Sequence, residues 1–173
     1  MHAKCVGAAD TDKNAREWDR NTHSQRVVHL FSDMSALTEH EGYCWIQGRD
    51  CKRDPVIVDV CSCGTPCTPF TTFRTNKKAV PVELHEDFHV TFTLLLAYLR
   101  TVRPGCGFLE QVRGFFSEDA LDAAGNSLGY SYGEFFMRLL CELGYFAISI
   151  MVDMSSWLKV PRPRQAELSN RLM

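Results

Sequence analysis

The sequence lacks any hydrophobic run long enough to cross a membrane. Its longest apolar stretches, 93–99 and 145–152, are well short of the roughly 20 residues that a bilayer-spanning helix needs. The N-terminal residues, MHAKCVGAADTDK, also lack the apolar core of a secretory signal. Because disulfides belong mainly to secreted proteins, the eight cysteines are expected to be reduced thiols. We therefore expect an intracellular protein with no membrane association.

An excess of positive charge is absent as well. Lys and Arg number 19 against 21 Asp and Glu, which gives a net charge of −2. This excludes non-specific binding of nucleic acid through overall charge, while local basic patches stay open. A hydrophobic content of 45% and a charged content of 23% are typical of a globular domain and exclude a disordered chain. The sequence also lacks internal repeats and low-complexity linkers, so we expect one domain over 1–173.

Segments with strand character alternate with segments with helix character. The predicted strands are 5–9, 27–31, 56–61, 108–112 and 145–152, and the predicted helices are 12–21, 88–102 and 132–143. The helices are predicted from apolar residues that recur every three or four positions, and the strands from short apolar runs. Region 34–55 shows neither pattern and is expected to be mostly loop. This alternation predicts an α/β domain with a mainly parallel sheet.

Four polar features follow the predicted strands. Asp10 and Asp33 come after the first two strands, the loop 64–67 follows the third, and Glu110 lies in the fourth. Ligands of open α/β sheets bind beyond the carboxyl ends of the strands, so these features predict a binding site at one edge of the sheet. For the two aspartates, the alternative is the simple capping of a helix or a turn.

Cys67 lies in a loop where Gly64 and Pro66 favour a tight turn. A loop thiol near basic side chains can act as a nucleophile, although most isolated cysteines are structural. Glu110, taken alone, is as readily an ordinary surface acid.

Zinc binding by the cysteines is a further alternative. The residues that would take part are Cys44, Cys51, Cys61, Cys63 and Cys67. Their C-x-C-x3-C segment lacks the paired C-x2-C spacing of common zinc sites, and the six histidines show no metal spacing. We therefore expect no metal centre.

Three segments resemble, in chain order, catalytic motifs of the cytosine-C5 DNA methyltransferases. GTPCTPFT at 64–71 resembles the family's Gly-x-Pro-Cys-Gln-x-Phe-Ser loop, with Thr68 in place of Gln. FLEQVRGF at 108–115 resembles the Glu-Asn-Val-x-Gly-Phe segment, with Gln111 in place of Asn. VPRPRQ at 160–165 is a weaker likeness of Val-Pro-Gln-x-Arg-x-Arg, whose first arginine Arg164 matches.

Two further segments resemble the part of that family that binds S-adenosylmethionine. CVGAADTDKNA at 5–15 contains Asp10, which matches the acid on the ribose, and FSDM at 31–34 contains Asp33, which matches the acid on the adenine. The resemblance implies a Rossmann-like methyltransferase sheet with flanking helices. It also implies a catalytic domain incomplete at both ends, since the Gly-rich Phe-x-Gly-x-Gly-Gly loop and a target-recognition region are missing.

The resemblance implies a role for each matched residue. Cys67 would be the nucleophile that adds to carbon 6 of cytosine, Glu110 would stabilise charge at N3, and Arg164 would position the base or the thiolate. The residues implied for the cofactor, S-adenosylmethionine, are Asp10, Thr11, Asp33 and Pro66. The implied partner is DNA with a flipped cytosine, which would place the protein in the nucleus of a eukaryotic host.

Three other interpretations stay open at this point. The chain is also consistent with a non-catalytic relative that binds a nucleic acid or a partner, or with a transferase that acts on tRNA. Thiol redox chemistry is the third. Because the Gly-rich cofactor loop is missing, we expect the isolated chain to form no covalent adduct with cytosine.

Overall fold

The computed structural model describes residues 4–52, 55–71, 82–117, 119–121, 125–153 and 167–172. Within them the protein is a mixed α/β structure with several small sheets. It divides into two compact units, Met1–Asp59 with Leu94–Pro104, and Val60–Thr93 with Gly105–Met173. The expected single domain over 1–173 stays a prediction, because units of this size also occur as subdivisions of one domain.

Unit 1 contains two small sheets and three helices. Its elements are β1 (Ala8–Ala9), α1 (Lys13–His23), β2 (Leu30–Phe31), α2 (Met34–Glu39), β3 (Glu41–Cys44), β4 (Arg49–Lys52) and α3 (Leu96–Val102). Strands β1 and β2 are parallel, with Ala9 opposite Phe31, and β3 and β4 form an antiparallel hairpin. Helix α1 begins after Asp12, whose carboxylate accepts hydrogen bonds from the amides of residues 14 and 15. The helix predicted at 12–21 is thus confirmed and ends two residues later.

Unit 2 contains a four-stranded sheet. Its strands, in the order β5–β6–β10–β9, are β5 (Val60–Gly64), β6 (Cys106–Val112), β10 (Glu167–Leu172) and β9 (Ile148–Asp153). The other elements are α4 (Gly114–Ser117), β7 (Asp119–Leu121), β8 (Ser127–Ser131) and α5 (Tyr132–Glu142). Strand β5 is parallel to β6, whereas β10 is antiparallel to both β6 and β9.

Three of the sequence-based expectations are wrong. Region 34–55 is not mostly loop, because it contains α2 and the β3–β4 hairpin. The strand predicted at 56–61 is found at Val60–Gly64, and Ile57 is 91% exposed. The sheet is not mainly parallel among the described strands, since short connections such as 45–48 join neighbours as hairpins.

An aromatic cluster fills the core of unit 2 around Phe70. The Phe70 ring packs edge-on against Phe115 with 4.8 Å between centroids and lies 5.7 Å from Tyr132. Phe88 and Phe92 stack at 4.6 Å beside it. The cluster joins the turn after β5 to α4 and α5, so the position of that turn is set by core packing.

Helix α5 begins with a capping box. The Ser131 hydroxyl accepts from the Glu134 amide at 3.2 Å, and the Glu134 carboxylate accepts from the Ser131 amide at 2.7 Å. These hydrogen bonds favour the ionised form and lower the pKa of Glu134. The helix predicted at 132–143 is confirmed, and Gly144 follows its end with φ +87.

The segment before α3 is a π-helix, Val90–Leu95, which continues directly into α3. Together they form the helix predicted from the apolar spacing between 88 and 102. Arg103, in the left-handed conformation with φ 53, ends it. Among the described residues, no helix combines the length and the apolar character that a membrane crossing requires.

Gly114 allows α4 to approach the turn after β5. A Cβ atom at this position would lie 1.7 Å from the carbonyl oxygen of Phe70, which is a backbone atom and cannot move aside cheaply. We expect Gly114→Ala to lower the free energy of unfolding by about 3 kcal/mol or more. Urea denaturation followed by circular dichroism measures the change.

Gly64→Ala is the matched control. A Cβ there would meet the Glu110 Oε2 atom at 3.6 Å, an ordinary contact. It should leave stability unchanged or raise it by up to about 1 kcal/mol. Equal unfolding curves for both variants would contradict the proposed close contact at Gly114.

Candidate active site

The carboxyl ends of β5 and β6 bring two of the predicted site segments together. The parallel register pairs Gly64 with Glu110. The Glu110 Oε2 atom lies 3.6 Å from where a Cβ atom on Gly64 would stand, so the carboxylate extends over the glycine. Glu110 is exposed. The adjacent strand ends therefore present an accessible carboxylate directly beside the loop that begins after Gly64.

Cys67 lies in that loop with its side chain exposed, between half-buried Pro66 and exposed Thr68. It precedes a 3-10 turn, Thr68–Phe70, whose Phe70 amide donates to the Cys67 carbonyl at 2.9 Å. Pro69 and Phe70 are buried in the aromatic cluster. A turn anchored on the core thus holds an accessible thiol, which is what a nucleophile requires.

The Gln111 side chain holds the loop from behind. Gln111 is 1% exposed, and its Nε2 donates to the Thr65 hydroxyl at 2.7 Å, to the Thr65 carbonyl at 3.1 Å and more weakly to the Pro66 carbonyl at 3.4 Å. The Thr91 hydroxyl donates to the Thr65 hydroxyl at 2.8 Å. Since β strands alternate their side chains between faces, Glu110 and Gln111 lie on opposite faces of β6. Glu110 is exposed to solvent, and Gln111 fixes the loop.

Of the cysteines near the end of β5, Cys63 is a poor nucleophile. Burial, with a smaller contribution from Cys61, raises the pKa of the Cys63 thiol to about 12. The thiol is therefore almost entirely protonated at neutral pH, and the thiolate is the reactive form. The exposure of Cys67 and the protonation of Cys63 both favour Cys67 as the reactive group of the segment.

Asp10 and Asp33 lie together at the carboxyl ends of β1 and β2. Asp10 follows β1, and its carboxylate accepts from the Asp12 amide at 2.8 Å. Asp33 caps α2 and accepts from the Ser35 amide at 2.7 Å. Both aspartates therefore perform the capping role that the sequence left open as an alternative.

Arg16 holds the loop that carries Asp10. Its buried guanidinium donates to the Asp10 carbonyl at 2.6 Å and lies 4.6 Å from the centroid of the Trp45 ring. Thr11, which follows Asp10 in the loop, is exposed. This support could not be predicted, because Arg16 is one of several charged residues in α1.

The predicted site residues thus fall into two pairs. Cys67 and Glu110, with Pro66 between Thr65 and the thiol, lie in unit 2, and Asp10 and Asp33 lie in unit 1. Each pair sits at the ends of two neighbouring parallel strands, as expected. That the two pairs form one site stays a prediction. Arg164 lies outside the described residues.

Comparison with known proteins gives a weak structural likeness. No family model matches the sequence, and no curated protein is significantly similar to it. A solved structure of the Entamoeba histolytica methyltransferase EhMeth is similar with a TM-score of 0.44 and 14% sequence identity. The match covers 99% of this chain and 53% of that one, so the chain spans about half the length of the structure it matches.

Alkylation tests which cysteine of the segment is reactive. Cys61, Cys63 and Cys67 fall in a single tryptic peptide, 54–74, so fragment masses locate each modification. With limiting iodoacetamide at pH 7.5 we expect Cys67 to be labelled first, because it is exposed and Cys63 stays protonated. Cys67→Ser is the control and should lose that early label. Labelling of Cys63 before Cys67 would contradict this assignment.

Removal of the Gln111 amide tests the support of the loop. Gln111→Leu leaves the buried Thr65 carbonyl and hydroxyl without this donor, which should lower the free energy of unfolding by about 1–3 kcal/mol. Amide hydrogen exchange should also accelerate over residues 65–67. Gln25→Leu, at an exposed position, is the matched control and should do neither. Unchanged exchange in Gln111→Leu would show that the loop is held by other contacts.

Proposed function

We propose that the chain carries the catalytic core of an S-adenosylmethionine-dependent methyltransferase that acts on carbon 5 of cytosine in DNA. The observation that carries the proposal is that the exposed Cys67 thiol lies in the loop directly after Gly64, the residue that pairs with Glu110 on the adjacent strand. The methyltransferase motifs in the sequence predict this pair, and Gln111 fixes the loop between its members. A Rossmann-like arrangement of the strands is part of the same proposal.

The residues matched to S-adenosylmethionine are compatible with it. Asp10 and Asp33 follow neighbouring parallel strands whose register places Ala9 opposite Phe31. Each carboxylate accepts one backbone amide through its Oδ1 atom, and a carboxylate has acceptor sites for several donors. Ribose hydroxyls and an adenine amino group are donors of the kind that these acids accept. Exposed Thr11 and half-buried Pro66 would border the cofactor.

The reaction begins at Cys67. Its thiolate forms a bond to carbon 6 of cytosine after the thiol proton passes to solvent. The carbon 5–carbon 6 π bond breaks, and its electrons form a carbon 4–carbon 5 enamine that is nucleophilic at carbon 5. The Glu110 carboxyl group would hydrogen-bond at N3, where negative charge develops. S-adenosylmethionine, when bound, supplies an electrophilic methyl group. Loss of the carbon 5 proton to a base and departure of the Cys67 sulfur then restore the aromatic ring with its new methyl group.

The substrate must reach Cys67 outside a base stack. Carbon 6 of a paired cytosine is shielded in a duplex, so enzymes of this type act on a flipped or unpaired base. The exposed side chains of Cys67 and Glu110 are compatible with such access. Arg164 would position the base or the thiolate. DNA as the partner implies a nuclear location in a eukaryotic host.

A non-catalytic relative of that family is the second candidate. The observation that favours it is the use of Asp10 and Asp33 as caps, since a capping role alone is enough to account for both residues. In that case the chain retains the folded strand ends but binds a nucleic acid or partner without chemistry. The same site on RNA would make the substrate a tRNA cytosine.

Hydrogen exchange at carbon 5 tests the pair without the cofactor. Reversible addition of a thiolate to carbon 6 lets the carbon 5 hydrogen exchange with water, so a single-stranded oligonucleotide with [5-3H]cytosine should release tritium. Cys67→Ser should abolish release, and Glu110→Gln should slow it by about 10²–10⁴-fold. Cys141→Ser, another exposed cysteine, is the control and should match the wild type.

A second measurement separates the two candidates. The catalytic candidate requires that the wild type bind S-adenosylmethionine in calorimetry and, in its presence, form a covalent adduct with 5-fluorocytosine that Cys67→Ser lacks. The missing Gly-rich loop favours the opposite result, no adduct, for the isolated chain. Release of tritium by Cys67→Ser at the wild-type rate would remove Cys67 from the mechanism. Neither exchange nor cofactor binding in the wild type would leave the non-catalytic candidate. An adduct with a tRNA oligonucleotide but not with DNA would assign the RNA substrate.

A further inference from the structure

Unit 1 brings a histidine and two cysteines together away from the candidate active site. The Nδ1 or Nε2 atom of His29 and the Sγ atoms of Cys44 and Cys51 all lie within 4.8 Å of one another. Cys44 is fully buried and Cys51 is 8% exposed. These are the nitrogen and sulfur donors that zinc prefers, and they differ from the cysteines at the end of β5.

The backbone sets this arrangement. In the β3–β4 hairpin, Cys44 pairs with Arg49 and Cys51 pairs with Gly42, so the two cysteines are diagonal neighbours on one face. The Trp45 amide donates to the Leu30 carbonyl at 2.8 Å and ties the hairpin to β2, which His29 precedes.

The His29 ring is oriented by its own strand. It stacks on Phe31 with 5.9 Å between centroids and an interplanar angle of 2°. The backbone carbonyl of His29 accepts from the Ala8 amide at 2.9 Å, so the residue is also fixed along the chain. A ring held in this way loses little conformational entropy when it binds a metal ion.

We propose that His29, Cys44 and Cys51 bind one Zn²⁺ ion, with water as the fourth ligand. Tetrahedral zinc with Zn–S of about 2.3 Å and Zn–N of about 2.0 Å needs donor atoms about 3.5–3.8 Å apart. Donors within 4.8 Å need to close by about 1 Å, which small side-chain rotations supply. Two thiolates then balance the charge of the ion, and two thiol protons pass to solvent on binding.

A cleft whose lining includes Cys51 lies at the β3–β4 hairpin. Its lining carries three carboxylates, Glu39, Glu41 and Asp50, against one ammonium, Lys52, whose nitrogen lies 3.9 Å from Glu41. A cleft with excess negative charge raises the local concentration of a divalent cation. The ion would cross-link the hairpin to β2, and it is independent of the proposed methyltransferase chemistry.

Titration of the reduced full-length chain with Zn²⁺ against a chromophoric chelator tests the site. We expect one equivalent to bind, and Co²⁺ in its place to give the thiolate charge-transfer absorption of a tetrahedral sulfur site. Cys44→Ser and Cys51→Ser should weaken Zn²⁺ binding by more than about 100-fold, since even outer-shell changes cost 10–100-fold. Cys61→Ser, a cysteine outside the cluster, is the matched control and should bind as the wild type does.

His29→Cys is a second variant that tests the site even if the serine variants fail to fold. It replaces one ligand with another, so it should keep Co²⁺ and add a third thiolate to the charge-transfer absorption. Absence of stoichiometric Zn²⁺ binding in the wild type would overturn the proposal. Zn²⁺ binding by Cys44→Ser and Cys51→Ser that is as tight as that of the wild type would also overturn it. So would recovery of a Cys44–Cys51 disulfide with no bound metal from chain purified without reductant.

Discussion

The hydrogen bonds from Gln111 to the loop after β5 are the constraint on which the candidate active site depends. A buried amide that donates to the Thr65 carbonyl and hydroxyl has no water to exchange with, so losing its partners is costly. It therefore fixes the direction in which the chain leaves β5. The exposure of Cys67 follows from this direction together with the burial of Phe70. The same strand presents Glu110 one residue earlier on the opposite face, so one strand supplies both support and acid.

The long helices and strand β6 of the candidate site could be predicted from the sequence. Regular apolar spacing fixed α5, because a helix that buries one face must repeat every three or four residues. Strand β6 was predicted at 108–112 and begins two residues earlier. The motif segments fall on the loop after β5 and on β6, and the roles of Cys67 and Glu110 stay a prediction. Periodicity and residue type carry this information locally.

The features that could not be predicted from the sequence depend on long-range packing. The hairpin of β3 and β4 has two four-residue strands, which are too short and too polar to show an alternating pattern. Strand β5 begins at Val60 because its pairing with Cys106 decides the register, not the apolar run before it. The role of Gln111 depends on a residue 46 positions away. The cluster of His29, Cys44 and Cys51 could likewise not be predicted from residue spacing in the sequence, because the hairpin and not a short motif brings its members together.

The π-helical segment constrains the length of the chain as well as its composition. A π-helix holds more residues per turn than an α-helix, in which successive side chains are about 100° apart. Loss of one residue from Val90–Leu95 would relax the segment to ordinary α-helix and turn Thr91 away from Thr65 by about that angle. Insertions and deletions here would therefore act on the active-site loop through rotation.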